Sequence, residues 1–148
     1  MAEINRQQLI LALIPAGQNP RLSGVDLSAL DLTRLNLEGA FLRGSNLKAA
    51  TLRESVLRSA SMPFADLTVV QAVGCDFNGA NMSGVNLTGA NLQGARLTGA
   101  NLSGANLSGA NLLDAKLTGA NVDNVKFDEA TTWPDSKKGS RGNPAQYV

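Results

Sequence analysis

The chain has 148 residues, with 13 Lys and Arg against 12 Asp and Glu, a single Cys and no His. Near-neutral charge excludes a strongly basic nucleic-acid binder and a strongly acidic decoy as whole-molecule readings, and the missing His removes the commonest general base and metal ligand. Cys75 has no partner for an internal disulfide, and with aromatic residues at 4% the core must be built from something smaller than rings.

In chain order, the first predicted element is a short helix over residues 5–14. Asn5 followed three residues later by Gln8 has the form of a capping box, and Pro15 and Gly17 are stop signals. Leu9, Ile10, Leu13 and Ile14 supply apolar side chains to pack on the neighbouring element. A secretory signal is the rival reading, but the apolar run Leu9 to Ile14 is six residues long and Glu3 offsets Arg6. A cap is therefore expected. No segment approaches the ~20 apolar residues of a membrane span, so the expectation is a soluble, cytoplasmic protein with no membrane partner.

From Leu22 to Phe127 every fifth residue is apolar, without insertion or deletion, over 22 consecutive pentads. Sixteen of these centres are Leu, and the others are Met62, Ala72, Phe77, Met82, Val122 and Phe127. Two residues before the centre stands a small side chain such as Ala80, Ala90 or Ala100, and one before it a polar one such as Asn81, Asn91 or Asn101. Two residues after it, 12 of the 22 pentads carry Gly. A period of five fits neither a helix nor a continuous strand. Within a pentad, however, the small residue and the centre are two apart, so a short extended stretch points both to one side. Gly in the following step permits the positive φ of a type II turn. Repeating step and corner winds a coil whose centres all point inward.

Runs such as Ala-Asn-Leu-Ser-Gly at 100–104 and 105–109 resemble the A(D/N)LXX motif of pentapeptide-repeat proteins. The resemblance covers residues 20–130. It implies an all-β solenoid, a right-handed quadrilateral β-helix with four pentads per coil. Twenty-two pentads then make about 5.5 coils, a rod of roughly 26 Å at ~4.8 Å per coil, with residues 20 apart stacked. The expected organisation is an N-terminal helical cap (1–19), the β-helix (20–130), and a C-terminal cap and flexible tail (131–148). Trp133, just past the last inward Phe127, is most simply a plug on the final coil, with a functional Trp as the alternative. Asp135 to Val148, rich in Gly, Ser and Pro, is expected to be mobile.

Catalysis needs a nucleophile and a positioned base. There is no His, and Cys75 falls at an inward small position where a buried thiol is inert. The expectation is a non-enzymatic protein with no catalytic, metal or cofactor residues. The Asn column, including Asn81, Asn101 and Asn121, is read as an outer hydrogen-bonding ladder. Arg43, Lys48, Arg53 and Arg58 follow four successive centres, so they girdle one coil on four faces and do not form a flat patch for nucleic acid. The 20-residue rule pairs Glu38 with Arg58 and Arg34 with Glu54.

Pro63, Phe64, Val69 and Val73 are apolar at outward or corner positions, as is Phe41 one coil earlier. These five residues are the candidate partner surface, with tolerated variation or local repacking as the competing reading. The family resemblance implies a scaffold or interaction module that presents rigid faces to another protein. Its gyrase-targeting members are acidic rods that imitate DNA, usually as dimers joined at one end. Residues 21–130 here carry nine basic and ten acidic side chains, far from the dense anionic columns that imitation of a duplex requires. A DNA-mimicking topoisomerase inhibitor or protector is thus the disfavoured alternative. Oligomeric state stays open between a monomer and an end-to-end homodimer.

Overall fold

The computed structural model describes residues 4–16 and 19–148, the side chains of residues 14–16 excepted. Glu3, Gly17 and the side chains of Ile14 and Pro15, all used in the sequence reading, lie outside the described residues.

One repeating set of backbone bonds builds the body. In the first pentad the Leu22 N–H donates to the Phe41 carbonyl (2.7 Å) and the Gly24 N–H to that of Arg43 (2.9 Å), while the Phe41 N–H donates back to Pro20 (2.8 Å). The Val25 N–H closes the corner on the Leu22 carbonyl at 3.2 Å, with Gly24 at φ +72°, as a type II turn requires. The same bonds recur along the chain, and parallel bridges pair Arg21 with Phe41, Phe41 with Ser61 and so on, each bridge up to Asn106 with Lys126 joining equivalent positions four pentads apart. Four pentads therefore complete each coil. Among the described residues no extended strand forms. Each pentad contributes a single bridge residue, because a corner follows before a second can pair. Four faces result, numbered by the bridge residue that begins each: face 1 at Arg21, face 2 at Asp26, face 3 at Asp31 and face 4 at Asn36.

The centres from Leu27 to Leu112 are fully buried, with Ala at most of the small inward positions. The coil spanning residues 61–80 contains both the smallest centre, Ala72, and the single fully buried Phe, Phe77. Volume lost at one corner of the coil is thus restored at the next, the kind of exchange that cores tolerate best. Inward hydroxyls are satisfied by backbone carbonyls: Ser45 Oγ donates to the Leu42 carbonyl of its own turn and Ser55 Oγ to that of Leu32 on the preceding coil, both at 2.7 Å.

The Asn column works differently from the expected ladder. Bonds between stacked amides are few and long, 3.4 Å for Asn111 to Asn91 and 3.5 Å for Asn101 to Asn81. The dominant bond is local. Asn46, Asn101, Asn106 and Asn121 each accept, through Oδ1, the N–H two residues on, at 2.9 to 3.1 Å. Asp26, Asp31 and Asp66 do the same at 2.9 Å. These are Asx turns. They explain the Asn or Asp that precedes 13 of the 22 centres as a device that starts the corner.

Helix α1 (Arg6–Ala16) runs two residues past its predicted end, so Pro15 lies within its last turn. The predicted box is present: the Asn5 N–H donates to Gln8 Oε1 and the Gln8 N–H to Asn5 Oδ1, both at 2.8 Å. Leu9 is fully buried in the core cluster, Ile4 and Leu13 pack against that cluster, Ile10 is half-buried and Leu11 is exposed. The Arg6 guanidinium donates to the carbonyls of Asp31 and, at 2.9 Å, Thr33. In later coils the equivalent oxygens accept backbone N–H groups from the preceding coil. Arg6 supplies the donors that a preceding coil would have supplied.

At the other end the repeat slips by one residue and then continues. Asn106 bridges Lys126, four pentads on, but Asn111 bridges Thr132, one position further than four pentads would reach. At the slip, the Gly109 N–H finds Asp128 Oδ1 (2.9 Å) where every earlier member of its column finds a carbonyl. The same oxygen accepts from the N–H groups of Ala130 (3.0 Å) and Thr131 (3.1 Å). Beyond it Thr131 takes the small inward position, its Oγ1 on the Leu107 carbonyl at 2.8 Å. Trp133 follows as a fully buried centre in the column of Leu112. The repeat therefore extends past the expected limit at residue 130.

Phe127, expected inward, is 37% exposed because no further coil covers it, and it meets Trp133 edge-on with ring centroids 5.2 Å apart. The segment after Trp133 turns back. Thr132 pairs antiparallel with Lys138, Trp133 Nε1 donates to the Gly139 carbonyl (2.8 Å), and Tyr147 stacks on Trp133 at 5.7 Å. Composition suggested a mobile tail. It did not reveal Tyr147 as a second ring for Trp133, nor its hydroxyl bond to Asp135 (2.9 Å).

Two predictions concern this end, and the single Trp reports on both. A Cβ at Gly142 would lie 2.1 Å from the Trp133 ring. Gly142→Ala should accordingly lower stability by about 1–3 kcal/mol and shift tryptophan emission to the red; an unshifted spectrum would mean the ring has room. The Asp128 carboxyl is held below its ordinary value of 3.8, first by the Gly109 N–H. A carboxyl with a depressed folded pKa contributes fully above its ordinary value, and the contribution fades as pH falls through the folded value. Acidification should redden Trp133 emission below about pH 4, and Asp128→Asn, which keeps the acceptor oxygen without the charge, should reduce that acid-induced change.

Candidate interaction surface

Of the five apolar residues singled out in sequence, the coil brings three to face 1. Phe41 lies in the bridge column between Arg21 and Ser61, and Pro63 lies in the column after the centres. Phe64 lies at the corner among Gly24, Gly44, Gly84 and Gly104. Phe41 is 45% exposed and Phe64 64%. Pro63 is buried, not outward; it sits beside the Phe64 corner, in the column of Arg43 and Ser83. The Arg43 guanidinium lies over the Phe64 ring, 5.7 Å from its centroid. On the other side the ring fills the place of a side chain at Gly84, where a Cβ would come within 2.6 Å of it. Val69 stands at the next corner, across face 2, and is 43% exposed. Val73 is half-buried on face 3, in a shallow groove with Arg53, Gln71 and Gln93.

The two corner residues are conformationally unusual. Phe64 has φ +60° and Val69 φ +51°. Left-handed backbone is disfavoured for any residue with a Cβ and most of all for a β-branched one. Elsewhere the corner columns are mostly Gly or small and polar residues. Bulky apolar side chains are therefore retained at two adjacent corners against local preference, and such outliers motivate a functional hypothesis.

The charged side chains form one cluster that sequence reading missed. Arg34 and Glu54 pair at 2.7 Å as expected, but Arg58 bonds to Asp76 in place of the expected pair with Glu38. Its Nε donates to Asp76 Oδ2 at 2.6 Å, Arg96 approaches the same oxygen at 3.7 Å, and the Asn78 N–H donates to Asp76 Oδ1 at 3.1 Å. Asp76, its side chain only 7% exposed, offers a better-enclosed partner than surface Glu38. The 20-residue spacing of Asp76 and Arg96 was the available signal. Beside it Cys75 is buried, and burial pushes its thiol well above the ordinary range, away from the reactive thiolate. Among the described residues no three His, Cys, Asp or Glu side chains cluster as a metal site, and no helix is long and apolar enough to cross a membrane.

A coil of five-residue steps, each bridged to the step four pentads further on, defines a pentapeptide solenoid. The model for pentapeptide repeats matches residues 18–48, 42–68, 70–104 and 95–131. The chain belongs to the pentapeptide-repeat family, whose members form right-handed β-helices and are generally structural or interaction modules. It is similar to the crystal structure of a pentapeptide-repeat protein from the cyanobacterium Cyanothece 51142, with 30% identity and a TM-score of 0.68 over 77% of this chain and 88% of that one. A pentapeptide-repeat protein of the Arabidopsis thaliana thylakoid lumen is 38% identical, with a TM-score of 0.63 over 66% of this chain and 67% of that one. A third such protein, from Nostoc PCC 7120, is 27% identical, with a TM-score of 0.56 over 88% and 86%. No curated protein matches the sequence.

Relief of the corner strain is measurable. Val69→Gly should raise stability by about 1 kcal/mol, because glycine adopts the left-handed corner freely. Phe64→Gly should gain less, since the Arg43 stacking is lost with the ring. A fall in the melting temperature of Val69→Gly would show that packing of the isopropyl group outweighs the strain.

Proposed function

We propose that this protein is a non-enzymatic interaction module, a quadrilateral rod of about 5.5 coils, closed at its first coil by helix α1, that presents rigid faces to another protein. The observation that supports this most directly is the pair Phe64 and Val69, exposed apolar side chains kept at corners where glycine would cost nothing. A rigid coil suits such a role, since its side chains stay fixed and little ordering is needed on binding. The topoisomerase-directed alternative lacks the anionic columns it requires. Face 1 has one carboxylate, Asp123, in its outward columns, and Asp76 on face 4 is neutralised by Arg58 and Arg96.

Cross-linking in cells of the source organism tests the proposal. A photoreactive residue at position 64 should capture a protein that the same residue at position 116, on face 4, does not. Phe64→Ser with Val69→Ser should reduce recovery of that protein from the wild-type level while leaving the circular-dichroism melt nearly unchanged. Equal capture from both positions, or inhibition of gyrase supercoiling at micromolar protein, would remove it.

A further inference from the structure

We propose that the first two coils of face 1, together with the Phe64 corner, form a docking site for an acidic segment of a partner protein that carries an apolar side chain beside its carboxylates. This rests on the interaction reading above and specifies the chemistry of what is bound. The outward columns of face 1 carry Arg21 and Arg43 but no carboxylate before Asp123, near the far end of the rod. Neither arginine has an ion pair among the described residues. That half of the face is therefore cationic and uncompensated. Its complement is negative.

The same area offers apolar surface between and below those cations. Arg21 bridges directly to Phe41, and the two line a shallow depression with Ser23. Arg43 lies over Phe64. A guanidinium held over a ring at this distance spends no N–H donor on it, so those donors stay free for a carboxylate. Phe41 and Phe64 then provide the exposed apolar faces for a neighbouring side chain. Two cations are few for a nucleic-acid backbone, whose binding grows with the number of phosphates neutralised. A single strand stacking its bases on the two rings is nevertheless a distinct class that the experiment must separate.

The test uses the full chain and fluorescence anisotropy with three labelled probes. These are the acetylated peptide Glu-Asp-Leu-Phe-Asp-Glu, its counterpart with Lys at every acidic position, and an oligothymidylate of similar length. The acidic peptide should bind with a Kd below about 1 mM and weaken as salt is raised. Arg43→Glu and Phe64→Gly should each weaken it about tenfold or more, Arg43→Lys less, and Lys116→Glu on face 4 not at all. Circular-dichroism melts of the variants verify that they are folded. Absence of acidic-peptide binding, binding indifferent to Arg43→Glu, or preference for the Lys peptide or the oligothymidylate would each overturn the proposal. Failure of the peptide with continued capture from position 64 would sink the acidic class alone; loss of both would remove the interaction reading as well.

Discussion

A register of four pentads per coil is the constraint on which everything else in this molecule depends. Each inward side chain is stacked on another, and each outward column is a column at all, only because four pentads turn the chain through one coil and return it to the same place. Keeping that register demands the same bend at every corner, which is why residues as different as Gly, Ala, Arg, Glu, Phe and Val all adopt positive φ there. The preference for Gly at corners is thus a relief of cost. The requirement itself is geometric and falls on whatever side chain occupies the position. Asn and Asp before the centres serve the same constraint by bonding the backbone as it enters the bend.

The two ends show what happens where the register has nothing to continue into. At the first coil the carbonyls of Asp31 and Thr33 have no preceding coil, and Arg6 reaches from helix α1 to supply the donors. At the last, an extra residue breaks phase, and Asp128 lends a side-chain oxygen to the Gly109 N–H in place of the lost carbonyl. Both substitutions answer one physical demand, that backbone polar groups at an open edge find a partner. With phase restored one residue late, Trp133 drops into the leucine column, and the chain folds back to pair antiparallel along that edge.

Much of this was legible in sequence because the period is strict and each position in the pentad has one environment. The inward set and the corners follow from counting, while the four-pentad spacing, and with it the Arg34–Glu54 pair, follows from the family resemblance. The failures have a common cause. Counting assumes that the frame neither slips nor competes, so it placed Phe127 inside, ended the repeat before Trp133, and paired Arg58 with the residue directly stacked on it. The structure prefers a diagonal for Arg58 because Asp76 is more enclosed than Glu38. The five apolar residues singled out in sequence are spread over faces 1 to 3, as counting pentads implies. Pro63 is buried although its place in the pentad is an outward one, which its position in the repeat does not reveal.

The position of Phe64 and Val69 joins the constraint to function. At a corner a side chain meets an unfavourable backbone and gains little burial. Corners are also the most prominent points of a four-sided rod. A bulky apolar residue on a flat face is accommodated without strain, as Phe41 is, and carries little information by its presence. The same residue at a corner works against the backbone that holds the register, and in Phe64 it is further supported by Arg43 on one side and by a neighbour, Gly84, with no side chain on the other. Support from both sides of an exposed ring fixes its direction without burying it. That combination, cost in the backbone and rigidity in the side chain, is what supports the contact proposed for this corner.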